Sequence, residues 1–160
     1  MNTKKVLDAF AKYQVADYYL KPTTGYGYSD TGRDQLDLIY ADIFRTEAAL
    51  VRSQFVSGTH ALAVALLGNL RPGDEMIGAT GEPYDTMQTI IGYPVKTPGS
   101  LVDLGVTYKE IPMEGDHPDI PALLAAITPR TRLIHIQRSC GYSSKRKTLT
   151  VGEIGRSARR

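Results

Sequence analysis

The chain has 160 residues, a single cysteine at Cys140 and no tryptophan. One thiol excludes an internal disulfide and every metal motif built on a cysteine pair. No apolar run approaches the roughly 18 residues that a membrane helix needs. The opening stretch, MNTKKVLDAFAKYQ, mixes charge with apolar residues and so lacks the continuous apolar region of a secretory signal. Internal repeats and long linkers are absent too. These absences lead to the expectation of a cytoplasmic protein with no membrane partner. What remains is the balance of a globular domain, 42% hydrophobic and 22% charged, in a chain long enough for one real core.

The net charge of +2 conceals an asymmetry. Residues 138–160 hold seven Lys and Arg against one acid, Glu153, whereas the preceding residues carry twelve basic against sixteen acidic side chains. A basic end on an acidic body can mark contact with nucleic acid or a membrane surface. Here Tyr142 is the sole interleaved aromatic, and no nucleic-acid module is recognisable. A solvated end is the better reading, and no nucleic-acid partner is expected.

Periodicity predicts the elements. Residues 4–20 read as a helix, with Val6, Leu7, Phe10 and Tyr13 near helical spacing, ended by Pro22. KPTTGYGYSDTG is a loop. Leu36, Ile39, Tyr40, Ile43 and Phe44 recur at i, i+3, i+4, i+7 and i+8, which predicts an amphipathic helix. After it, strand-like and helix-like segments alternate: a strand at 49–56, a helix at 60–70, a strand at 76–79, a helix at 84–92, a strand at 106–113, a helix at 121–127 and a strand at 132–137. That alternation predicts an α/β layer with a largely parallel sheet.

Within QFVSGTHALAVALLGNL, residues 54–70, a strand-like start turns at Ser57-Gly58-Thr59 into a helix that is apolar nearly all round. Such a helix should be buried on most faces. Its first N–H groups lack helical partners. Ser57 can cap, Gly58 lets a ligand approach the backbone, and Thr59 adds a hydroxyl, so the corner suits an anion such as a phosphate. By spacing alone, a plain N-cap with nothing bound is the simpler reading. Gly25-x-Gly27 follows no strand and lacks the third glycine of a dinucleotide loop. His135, flanked by Ile134 and Ile136, reads as a satisfied core histidine, and His60 and His117 have no metal partners at useful spacing.

The order SGTHALAVAL, NLRPGDEMI and PYDTM resembles the cofactor region of fold-type-I pyridoxal-phosphate (PLP) enzymes. More closely, GYGYSDTGRDQLDLIYADIF, SGTHA, GEPYDT, GSLVDLGVTYKEI and the IQRS and GYS pieces resemble the methionine γ-lyase-related family, also called aluminium resistance proteins. The resemblance runs from about residue 24 to about residue 154. It implies an α/β fold: the N-terminal part of a PLP-dependent transferase-like large domain, mainly parallel sheet flanked by helices, and incomplete. Residues 1–48 would be a helical segment and arm, 49–154 a partial PLP-binding domain, and 155–160 an atypical basic tail. PLP is the implied cofactor, a small amino acid the implied substrate, and a homo-oligomer the implied full-length assembly.

The resemblance also implies roles. Ser57, Gly58 and Thr59 would hold the PLP phosphate, Tyr84 would stack on the pyridine ring, and Tyr28 would reach a neighbouring subunit's phosphate. Arg33 departs from the related Tyr-x-Arg spacing and reads as a surface arginine at a helix start. PLP chemistry also needs a lysine bonded to the cofactor and an acid on its ring nitrogen. No lysine here follows a strand in the required setting, and neither that acid nor a nucleophilic role for Cys140 is identifiable. The chain is therefore expected to be an inactive N-terminal fragment of a carbon–sulfur lyase-like enzyme of cysteine and methionine metabolism. The alternative is a non-catalytic remnant, or a small binding protein using its basic end.

Overall fold

The computed structural model describes residues 2–26, 28, 30–139 and 147–157. They belong to two compact units, Met1–Val56 and Ser57–Arg160. In the first unit, helix α1 (Asn2–Lys12) and helix α2 (Thr31–Phe44) flank a 3-10 turn at Asp17–Leu20. Ala9 of α1 and Ile39 of α2 are the buried apolar residues, and Lys12 Nζ reaches Asp42 at 2.7 Å. The helix expected over 4–20 is broken. Gln14 takes a left-handed φ of 49°, and Val15 N–H donates back to the Phe10 carbonyl at 3.0 Å, the long bond of a helix C-cap. Gln35 of α2 donates its side-chain amide to the Tyr13 carbonyl at that break. Arg45 ends α2 in the same way, with φ 57° and Thr46 N–H on the Ala41 carbonyl.

Residues 49–56 are a second departure, because no strand forms there. Their backbone is claimed by α2 instead of a sheet. Asp37 Oδ1 accepts both the Val51 N–H and the Arg52 guanidinium, each at 2.7 Å, and these two donors hold its carboxyl below the usual range.

The second unit has the α/β layer that the alternation predicts. Strand β1 (Glu75–Gly78) is central and parallel to both neighbours, β2 (Thr107–Glu110) and β5 (Thr131–His135). Helix α3 (Gly58–Asn69) precedes β1, helix α4 (Asp85–Ile91) joins β1 to β2, and helix α5 (Ile120–Ala126) leads into β5. A small antiparallel pair, β3 (Met113–Glu114) and β4 (His117–Pro118), and a final helix α6 (Val151–Ser157) complete the elements. The chain passes from β1 outward to β2 and then back across to β5. Crossovers of one hand then require helices on opposite faces.

The core follows that arrangement. Met76 faces Leu66, Leu70, Met87, Ile91, Leu101 and Val106 on the α4 side, while Ile77 faces Ala79, Ile111 and Leu123 on the α5 side. All four residues of β1 are buried, as a central parallel strand requires. Gly92 caps α4 at φ 82°, and a Cβ there would sit 2.2 Å from Ser100 Oγ. Thr150 and Glu153 form a reciprocal capping box at the start of α6, with Thr150 Oγ1 and N–H on Glu153 Oε2 and Glu153 N–H on Thr150 Oγ1.

Helix α3 corrects the expectation of burial on most faces. Within it only Leu66 is buried, and Leu62, Val64 and Leu67 are exposed. The described sheet has three strands, and the layer meets α3 along a single line through Leu66 and the capping Leu70.

Glu75 is fully buried at the amino end of β1. Its carboxylate lies 2.7 Å from Lys109 Nζ and accepts the hydroxyls of Thr131 at 2.6 Å and Thr128 at 3.1 Å. Lys109 and the two threonines hold its pKa down to about 2 against burial, which acts the other way. A carboxyl whose folded pKa is depressed stabilises the fold above its unfolded value. That contribution is present above about pH 4.5 and is lost as the pH falls toward about 2. Urea titrations across this window should show a steep acid loss in the wild type and a shallower one in Glu75→Gln. Lys109→Met should cost up to about 3 kcal/mol at neutral pH, the low end for breaking a buried pair.

Candidate functional site at the carboxyl edge of the sheet

In an open α/β layer, ligands bind outside the carboxyl ends of the strands. Three segments leave that edge here. The loop after β1 runs from Ala79 to Tyr84, Ile111 follows β2, and Ile136 to Ser139 follow β5. They are laced together: Ala79 N–H donates to the His135 carbonyl, Gly81 N–H to that of Ile111, and Ile111 N–H to that of Gly78. Buried Thr80 accepts the Gln137 N–H through Oγ1 at 2.9 Å.

Titratable groups gather at this edge. Burial raises the Glu110 carboxyl, with Glu82 adding to the shift, and burial lowers His135 toward its neutral form. The expectation that His135 is a core histidine fits its half-buried, neutral state. Tyr108 lies against Gly78, so that a Cβ on Gly78 would fall 2.1 Å from the Tyr108 Oη. The Tyr93 and Tyr108 rings pack with centroids 5.0 Å apart. That buried hydroxyl has no hydrogen-bond partner among the described residues, and burial pushes its pKa well up.

At the Ser57-Gly58-Thr59 corner the expected Ser57 cap is formed. Ser57 is the N-cap of α3, its Oγ accepting the His60 N–H at 3.1 Å, and its carbonyl receives the Ala61 N–H. The Gly58 and Thr59 N–H groups make no bond within the described chain. Nothing lies within 4 Å of a Cβ placed on Gly58. Ser57 accepts at its oxygen and still has a proton to donate. Two backbone donors, two hydroxyls and open space beside Gly58 can receive an anionic group.

Tyr84 is the N-cap of α4, half-buried against the α4-side core, and its N–H donates to Gln137 Oε1 at 3.2 Å. It shares the second unit with the corner; Tyr28 is exposed and belongs to the first. Arg33 is not a free surface arginine. Its side chain is 27% exposed, and its guanidinium lies 2.7 Å from the carboxylate of buried Asp30, at the end of the Tyr28 loop. Gly27 and Cys140 lie outside the described residues. Thr80, Gln137 and Glu75 escaped the sequence reading, since their roles depend on strand register and contacts more than fifty positions away.

The methionine gamma-lyase family model matches residues 1–159. The chain belongs to that family. This methionine γ-lyase family chain is 47% identical over 155 residues to the uncharacterised protein YnbB of Bacillus subtilis (strain 168), covering 96% of the chain and 37% of YnbB. It is also similar to two solved structures. A candidate cystathionine beta-lyase involved in aluminium resistance from Clostridium acetobutylicum is 45% identical with a TM-score of 0.93, over 99% of this chain and 38% of that one. A carbon-sulfur lyase involved in aluminium resistance from Clostridium novyi NT is 41% identical with a TM-score of 0.89, over 98% and 38%. The family chain thus spans a little over a third of the length of these relatives. Among its described residues no helix is long and apolar enough to cross a membrane, and no group of three or more His, Cys, Asp or Glu could hold a metal ion.

The Gly78–Tyr108 contact gives a direct test of packing at the edge. Gly78→Ala should destabilise by about 1–3 kcal/mol, because the added methyl meets a buried hydroxyl. Tyr108→Phe should be neutral or stabilising by up to about 1 kcal/mol, since it removes a buried polar atom with no partner. In the double variant the cost of Gly78→Ala should shrink. Equal costs in both backgrounds, measured by thermal or urea unfolding, would remove the contact as the cause.

Proposed function

We propose that this chain is the cofactor-phosphate-holding portion of a PLP-dependent carbon–sulfur lyase of cysteine and methionine metabolism, and that it has no lyase activity alone. The observation that carries the reading is the corner before α3. Its Gly58 and Thr59 N–H groups have no partners among the described residues, and the space beside Gly58 is open. A phosphate dianion suits that set, because the helix dipole adds to the free donors.

In this reading Ser57 and Thr59 donate their hydroxyls to the phosphate and anchor one end of the cofactor. Tyr84 covers the pyridine ring with a flat aromatic face and keeps water from it. When bound, PLP supplies an electron sink for bond cleavage in a small amino-acid substrate. The lysines with resolved partners are engaged elsewhere: Lys4 with Asp8, Lys12 with Asp42, Lys96 with Asp103, Lys109 with Glu75 and Lys147 with Asp116. Tyr28, exposed on its loop, would reach a second subunit in the full-length homo-oligomer. Among the described residues of the basic end, Arg138 donates to the Leu149 carbonyl and Lys147 pairs with Asp116, which lends less support to the alternative of a binding protein.

Equilibrium dialysis with PLP tests the corner. Thr59→Val should weaken binding by about 1–3 kcal/mol, roughly tenfold to a hundredfold. Gly58→Val should do worse by filling the open approach. Stability is measured alongside, and Ser57→Ala is avoided as the sole variant because it also removes a cap. If Thr59→Val and Gly58→Val both leave the dissociation constant unchanged, the corner is a capped helix and nothing more.

A second outcome concerns activity. The chain mixed with PLP and sulfur-containing amino acids should release no pyruvate or 2-oxobutyrate above the PLP-only background. Release above that background would sink the inactivity.

A further inference from the structure

Gln137 follows β5, yet its side chain reaches back to the loop after β1. Its Oε1 accepts the Tyr84 N–H at 3.2 Å, its Nε2 donates to the Ser139 carbonyl at 2.7 Å, and its own N–H donates to Thr80 Oγ1 at 2.9 Å. The partners fix the amide's orientation. A backbone N–H can only donate and a carbonyl can only accept, so oxygen must face Tyr84 and nitrogen must face Ser139. Thr80 is 3% exposed, so the bond at its hydroxyl is made in a dry place where it resists competition from water. Gln88 holds the other side of the same loop, donating Nε2 to the Pro83 carbonyl at 2.7 Å and to Glu82 at 3.1 Å. Tyr84 is in turn fixed at the start of α4, its carbonyl accepting from Met87 at 2.9 Å and Gln88 at 3.0 Å.

We propose that Gln137 is a positioning residue: its side-chain amide latches the Tyr84-bearing loop to the end of β5, so that the Tyr84 ring is presented to a bound cofactor in one place. The inference rests on reading Tyr84 as the residue that covers the cofactor ring. The latch itself is a property of the unliganded chain, which lets the two be tested apart. A ring that must stack on a planar ligand has to be held within a fraction of an ångström, and a loop fastened at one end does not achieve that.

Amide hydrogen exchange on the full chain reads the latch directly. Gln137→Met keeps the length of the side chain and removes both polar atoms, and it should speed exchange of the Tyr84 amide about tenfold while the Ile77 amide in β1 stays protected. Gln137→Glu keeps an oxygen acceptor for the Tyr84 N–H but sets its other oxygen against the Ser139 carbonyl, so it should restore the protection only in part. An unchanged Tyr84 amide in Gln137→Met overturns the latch. PLP dialysis with the same variants carries the test to the cofactor. Binding that weakens several-fold in Gln137→Met and recovers in part in Gln137→Glu supports positioning. Binding that is weakened by Tyr84→Ala but untouched by Gln137→Met overturns it. If the unaltered chain does not bind PLP, the cofactor reading falls, and the exchange result still decides the latch.

Discussion

A carboxylate buried at the amino end of the central strand constrains the rest of the α/β unit, because a charge taken out of water is tolerated only with partners in place. Glu75 meets that demand with one group from each direction: Lys109 from β2, Thr131 from β5 and Thr128 from the turn before β5. All three must arrive together. The register pairs Glu75 with Thr107 and Thr131 and places Lys109 beside Ile77, on the face that Glu75 also uses. A one-residue slip of β2 would turn Lys109 to the opposite face and leave the carboxylate with two hydroxyls and no cation. The ion pair therefore penalises wrong registers as well as stabilising the right one. Lys109 extends the same control to α5, since its ammonium also donates to the Ala126 carbonyl at the helix's negative end.

The two ends of the sheet consequently do different work. At the amino end, the charged and hydroxyl groups of Glu75, Lys109, Thr128 and Thr131 are satisfied by one another. At the carboxyl end, Tyr108 Oη has no hydrogen-bond partner among the described residues, and burial raises the Glu110 carboxyl and lowers the His135 imidazole. Groups that pair with one another specify structure, and titratable groups shifted by burial tend to gather where ligands bind. The open corner before α3 is likewise short of partners, although it is made from a helix terminus instead of strand ends.

Much of the fold was legible because it depends on local periodicity. The α2, α4 and α5 helices and the strands β1, β2 and β5 lie where apolar spacing and turn residues place them, within a few positions. The failures share a cause. Residues 49–56 have a strand-like sequence, but Asp37 on the preceding helix takes the Val51 N–H, so the backbone finds a partner without a sheet. The helix expected over 4–20 stops at Lys12 because Gln35, more than twenty positions on, satisfies the carbonyl that its break frees. Helix α3 is apolar all round yet buried along one line, because apolar sequence reports what a helix could bury and not what lies beside it. Each of these outcomes is decided by a partner distant in sequence.

The candidate site divides in the same way. Ser57-Gly58-Thr59 was readable, since a cap, a small residue and a hydroxyl at the start of a helix have local consequences. Thr80 and Gln137 were not, because their importance lies in one hydrogen bond between two loops 57 residues apart. Local sequence announces a Tyr84 at the start of a helix, but the angle at which its ring stands depends on what holds the loop in front of it. That hold comes from the segment after β5, a strand that pairs in parallel with β1 and whose register shifts once, between Glu75 and Met76.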